Sequence, residues 1–212
     1  MIRARFAEEL ELVQQNMISM GELTLRTIDD ALNCLTRTEG ASFEKATELE
    51  SKIDEWDRLI HDQALKILNL QSTVAGDARL VTGILESVVD LEQIADYAYE
   101  ISDLAFQTDR RPTTQLLSQV VGAGKKVMEM LASALESWRH LDRASGLSLR
   151  STEASIRTDS RTLTERLYQL TSAPADAQIY VNLILICKHF ERMARLSASV
   201  CEQAALAAPA GR

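Results

Sequence analysis

Apolar residues recur at three- and four-residue intervals along almost the whole chain, the period of amphipathic helices rather than the alternation of strands. Six such segments are predicted, at roughly residues 4–37, 42–70, 72–107, 113–141, 149–171 and 174–207. Ser42 is placed to cap the second, and Thr38-Glu39-Gly40 to end the first. Between the third and fourth, the stretch TDRRPTT from Thr108 to Thr114 interrupts the pattern with charge and proline, as a hinge would. The stripes name the inward residues. On the second helix they are Leu49, Ile53, Trp56, Ile60 and Ile67; on the third they are Leu80, Ile84, Val88, Leu91, Ala95 and Ala98.

The two halves repeat. With Asp77 set over Asp176, Leu80 falls on Ile179, Ile84 on Leu183, Val88 on Cys187, Glu92 on Glu191, Ile94 on Met193 and Ala95 on Ala194, without a gap. The same offset sets Ile28 on Val127 and Leu32 on Leu131. A three-helix unit occurring twice explains this, and short connections make successive helices antiparallel. The expected fold is all-α, a tandem repeat of two antiparallel three-helix bundles. Residues 1–108 form the first bundle, 109–207 the second, and 208–212 a frayed tail.

Composition narrows the function. Eight Gly and three Pro leave little for β-turns. A net charge of −8, with no basic block, argues against nucleic acid as a partner and against direct binding to an anionic membrane. The longest apolar run, Leu183 to Cys187, is too short to span a bilayer, and the N-terminus turns acidic at once, unlike a secretory leader. A cytoplasmic protein that meets membranes only through partners is expected. Cys34, Cys187 and Cys201 are odd in number, far apart and at helical core positions, so buried thiols are expected instead of disulfides or a thiolate metal site.

The candidate chemistry lies on two flanks. Glu92 and Asp96, four residues apart, sit beside the apolar face of the third helix, in line with Val81, Leu85 and Val89, whereas Glu86 and Asp90 are expected to face solvent. On the second helix Glu50, Asp54, Asp57 and His61 form a matching flank, with Asp57 and His61 the secondary candidates. Adjacent antiparallel helices would bring these carboxylates together, where they repel unless a cation neutralises them. Oxygen donors suit Mg²⁺, Mn²⁺, Ca²⁺ or iron better than zinc on thiolates. Acidic pairs four apart are also ordinary solvated surface in so acidic a chain, and spacing does not choose between the two readings. His140 and His189 show no ligand-like neighbours at helical spacing.

Enzymatic motifs are lacking. The stretch GAGKK, Gly122 to Lys126, resembles a phosphate-binding loop, but Gln119 occupies the place of its first Gly and Lys126 that of its Ser/Thr. It reads as helix. A ferritin-like carboxylate bundle would need Glu-x-x-His spacings, and none occurs.

The stretch DLEQIADYAYEI, Asp90 to Ile101, resembles the E/D-L-E-R-I-G-D signature of the PhoU family of phosphate-transport regulators. LVQQNMISMGELTLRTIDDAL (Leu12–Leu32), LESKIDEWDRLI (Leu49–Ile60) and AGDARLV (Ala75–Val81) are similar to its first three helices, and HFERMARLSASVCE (His189–Glu202) to a second copy of the signature. The resemblance implies a non-catalytic, often dimeric protein. It would restrain phosphate uptake and the phosphate-starvation response by contact with the ATP-binding subunit of the phosphate ABC transporter and with a sensor histidine kinase. It also implies metal binding through E/D-x-x-x-D pairs, here Glu50 with Asp54 and Glu92 with Asp96. Arg195 stands where the second repeat should carry the signature Asp, where it would pair with Glu191, and Asp159 lies between Arg157 and Arg161. A divalent or ferric metal (Fe, Mn, Mg or Zn) is therefore expected in the first repeat only. The alternatives are a ferritin-like metal bundle and a metal-free helical adaptor serving another transporter.

Overall fold

In a computed structural model the described residues are 2–69, 75–107, 113–141, 145–171 and 177–209. They form α1 (Ile2–Thr36), α2 (Phe43–Leu68), α3 (Ala75–Phe106), α4 (Thr114–His140), α5 (Ser145–Leu170) and α6 (Ala177–Ala207), with no strand among them. Ser42 caps α2 as expected, in extended backbone, accepting the Lys45 N–H at 3.2 Å. Helix α5 begins four residues before its predicted start. The expected start of α3 near Ser72 and the hinge at 108–112 fall outside the described residues. Ala208, in the segment expected to fray, is buried, and its N–H reaches the Ala204 carbonyl at 3.1 Å.

Helices α2, α3, α6 and α5 lie side by side as one layer, with α1 behind α2 and α3, and α4 behind α6 and α5. Directions follow from the pairings. Asn16 donates to Gln63 at 2.8 Å and Lys45 pairs with Asp30, so α1 and α2 are antiparallel. His189 meets Glu100 and Asn182 meets the Leu104 carbonyl, so α3 and α6 also run opposite ways. The halves are joined twice, α3 against α6 and α1 against α4, and a single apolar core runs through both.

That core fills the predicted stripes. Ile84, Val88, Leu91, Ala95 and Ala98 of α3, and Ile179, Leu183, Cys187, Met193 and Ala194 of α6, are buried. Each fully covered Leu or Ile contributes about 1.5–3 kcal/mol, so packing and not intrinsic helix preference holds the long helices in place. Leu49, Trp56 and Leu80, predicted to face the core, are only half-buried. Among the described residues α2 is an edge helix flanked by α1 and α3 alone, too few to cover a wide stripe. The three cysteines are buried thiols, as expected. Burial pushes the Cys187 thiol up to about 12.

Small residues set the spacing where the halves join. At Gly124 a Cβ would lie 2.5 Å from Leu32 Cδ2 of α1 and 2.7 Å from Phe190 Cζ of α6. Gly21 of α1 faces Leu135 of α4 in the same way. Gly124→Ala should therefore lower stability by about 1–3 kcal/mol despite alanine's better helix propensity. Urea unfolding would show this as a lower midpoint; an unchanged or higher midpoint would mean that α1, α4 and α6 can part without penalty.

Candidate functional site

The groove between α2 and α3 gathers the predicted acids. Burying the inner stripe of α3 leaves Glu92 and Asp96 on its flank, half-buried, and the antiparallel run of α2 sets Asp57 and Asp54 beside Glu92 and Glu50 beside Asp96. Both α3 carboxyls are raised above the ordinary carboxylate range. Partial burial is the larger cause and the surrounding carboxylates the second: Asp96, Asp57, Asp54 and Glu50 around Glu92, and Glu50, Asp54 and Glu100 around Asp96. Among the described residues no basic side chain offsets either one.

The structure gathers these groups without converging them. Among the described residues no three of His, Cys, Asp and Glu stand close enough to hold a metal ion. Asp54 reaches out to Arg58 at 3.4 Å, and the His61 Nδ1 is tied to its own helix, 3.1 Å from the Asp57 carbonyl and 3.2 Å from Asp57 Oδ1. The donor set nevertheless fits a hard cation: carboxylate oxygens from two helices, without an internal counter-charge at Glu92 or Asp96.

Two sequence expectations fail here, one because the partner belongs to another helix and one because a partner four residues away was passed over. Asp90, expected in solvent, is half-buried against α6, where Ser199 hydrogen-bonds it and Arg195 lies near; burial raises its carboxyl. His189, which has no ligand-like neighbour at helical spacing, finds one on another helix: it is buried between the halves with its Nε2 3.2 Å from Glu100 Oε2 and its ring 5.2 Å from that of Tyr97. Arg192 lies over the same Tyr97 ring at 5.5 Å. His140 pairs with Glu136, four residues back, at 3.5 Å, a helical spacing open to sequence inspection. Glu100 is also legible there, as the next member of the Glu92–Asp96 column.

In the second repeat the acids find internal partners. Glu191 takes Lys188, at 2.9 and 3.0 Å, and not the expected Arg195, which lies by Asp90. Asp159 turns away to α4 and meets Lys126 at 2.6 Å.

The model of the PhoU domain matches the chain twice, over residues 17–105 and 120–204. The chain belongs to the PhoU family. A relative from Pseudomonas aeruginosa, the "Phosphate-specific transport system accessory protein PhoU homolog", is 26% identical over 203 residues, covering 95% of this chain and 84% of its own length. The homologue of that name from Synechocystis sp. is 27% identical over 205 residues, covering 95% and 90%. The crystal structure of PhoU from Pseudomonas aeruginosa superposes with a TM-score of 0.88 at 25% identity, covering 94% of this chain and 96% of that one. That of the phosphate transport system regulatory protein PhoU from Streptococcus pneumoniae gives 0.86 at 23% identity and shows the shared PhoU fold.

Two outcomes follow from the electrostatics. A carboxyl raised in the folded state holds its proton while the unfolded chain has lost it, so metal-stripped protein loses stability as pH climbs from about 4 through the raised values. Glu92→Gln with Asp96→Asn should remove that loss and raise the melting temperature at pH 7 by roughly 1–2 °C in chelator; a fall would mean that the two acids attract more than they repel. His189 behaves oppositely. Burial lowers its pKa, against the pull of Glu100, so the unfolded chain takes the proton first and stability falls as pH drops below about 6.5. Melts at pH 5.5 and 7.5 should differ less in His189→Gln than in the parent, and an equal difference would place the sensitivity elsewhere.

Proposed function

We propose that this chain restrains phosphate uptake and the phosphate-starvation response. It works in the cytoplasm as a non-catalytic homodimer, by contact with the ATP-binding subunit of a phosphate ABC transporter and with a sensor histidine kinase. The observation that carries the reading is the PhoU domain occurring twice across the chain, and the names of its relatives support a role beside the phosphate-specific transport system. No helix among the described residues is long and apolar enough to cross a membrane, which agrees with a protein that reaches the transporter through its cytoplasmic subunit.

The groove of the first repeat serves this function as a hard-cation site, with Glu50 and Asp54 from α2 and Glu92 and Asp96 from α3 as ligands after rotation of their side chains. The support is chemical: Glu92 and Asp96 are raised by burial and by neighbouring carboxylates in the first repeat, against Glu191 held by Lys188 in the second. A bound Mn²⁺, Fe or Mg²⁺ would remove the repulsion and pin α2 to α3.

Co-purification with the transporter's ATP-binding subunit and the kinase, combined with elemental mass spectrometry, tests both parts. Protein purified without chelator should carry near-stoichiometric metal that Glu92→Ala/Asp96→Ala loses, and should retain both partners. Metal absent from both proteins after Mn²⁺ or Fe²⁺ soaking would leave a metal-free adaptor. Failure to retain either partner would sink the regulatory reading.

A further inference from the structure

The seam between α4 and α5 holds a cleft of about 320 Å³ on the second bundle, away from the acidic groove. Gly122 contributes part of its open space. By the repeat offset Gly122 of α4 corresponds to Leu23 of α1, which lies on the line of α1 running from Asn16 to Asp30, the two residues that bond α2, and packs on the core. In the first repeat a leucine side chain occupies that position. In the second, a Cβ on Gly122 would meet nothing within 4 Å, and the buried Ala123 and Leu163 are left as an apolar floor.

The rim is polar and ordered along the seam. Lys126 and Asp159 close one end as an ion pair at 2.6 Å. Seven residues away on each antiparallel helix, about 10 Å along, Gln119 and Arg166 stand at the other end, with Thr162 between. Arg166 engages no acid among the described residues, although the protein is acidic overall. A volume near 300 Å³, with an apolar floor and a few polar groups, is the make-up of a small-molecule site at the lower end of the size range.

We propose that this cleft binds a small organic oxyanion, a phosphate monoester or carboxylate. Its charged head lies on the Arg166 guanidinium and the Gln119 amide, and its apolar body lies over Ala123 and Leu163 in the space left by Gly122. The guanidinium presents paired donors that match two oxygens of such a head. The GAGKK stretch that resembles a phosphate loop thus takes part as a helix face, through the missing side chain of Gly122 and not through loop amides. The site is independent of the metal groove and of the phosphate-regulation reading.

Titration of ¹⁵N-labelled full-length protein with phenyl phosphate, benzoate and inorganic phosphate tests this. Phenyl phosphate or benzoate should shift the amides of residues 119–126 and 159–166 saturably, and the tighter of the two identifies the head. Inorganic phosphate, which lacks the body, should bind at least roughly tenfold more weakly, and Arg166→Gln should weaken the organic ligands by a similar factor. Gly122→Leu, which restores the residue of the first repeat, should abolish the shifts while its melt stays cooperative. Arg166→Lys keeps the charge and should retain partial affinity. Shifts that stay linear to about 10 mM, or that survive in Gly122→Leu, would overturn the proposal.

Discussion

The burial of α3 against α6 is the constraint from which the remaining geometry follows. Each is the third helix of its repeat, and each must hide an apolar stripe that its own bundle covers only in part. Packing the two together completes the core and fixes which way every other residue of α3 points. Leu91, Ala95 and Ala98 go inward, Asp90 goes toward Ser199 and Arg195, and Glu92 and Asp96 are left facing α2. The acids of the groove are adjacent because the apolar residues between them have been claimed elsewhere. Their mutual repulsion is tolerated as a local cost within a core whose burial far exceeds it.

Divergence between the repeats has moved in two directions from one plan. In the first, Leu23 packs on the core behind the layer, and in the groove in front the Glu92 and Asp96 carboxyls are raised by burial and by neighbouring carboxylates. In the second, Lys188 and Lys126 answer the acids, and the seam opens at Gly122. Duplicated folds allow this because the shared core depends on the inward stripe alone; the flanks are free to change without disturbing it.

The inward stripes were legible in the sequence because they repeat every three to four residues within one helix. So were the two-fold repeat, the Ser42 cap and the flank placing of Glu92 and Asp96. What a periodic reading misses is any partner on a different helix. Glu100 and His189 lie 89 positions apart, and no spacing rule connects them; likewise Asp90 reads as solvent-facing until α6 is laid beside it. Trp56 packs against the core as predicted but is covered only in part, for a related reason. Its period is that of the core, but α2 sits at an edge, and the number of neighbours a helix will have is a property of the assembled layer.

Trp138 stands where four helices meet. Its indole N–H donates to the Val200 carbonyl of α6 at 2.9 Å, its own carbonyl receives Gln14 of α1 at 2.8 Å, and Gly83 of α3 leaves room for its ring. The other tryptophan, Trp56, lies half-exposed on the edge helix of the first repeat. The molecule therefore carries two indoles in different environments, one fully buried at the junction of the halves and one only part-covered at the rim. Their emission should differ in colour for that reason, so that light alone would distinguish a parting of the two halves from a loosening of the outer helix.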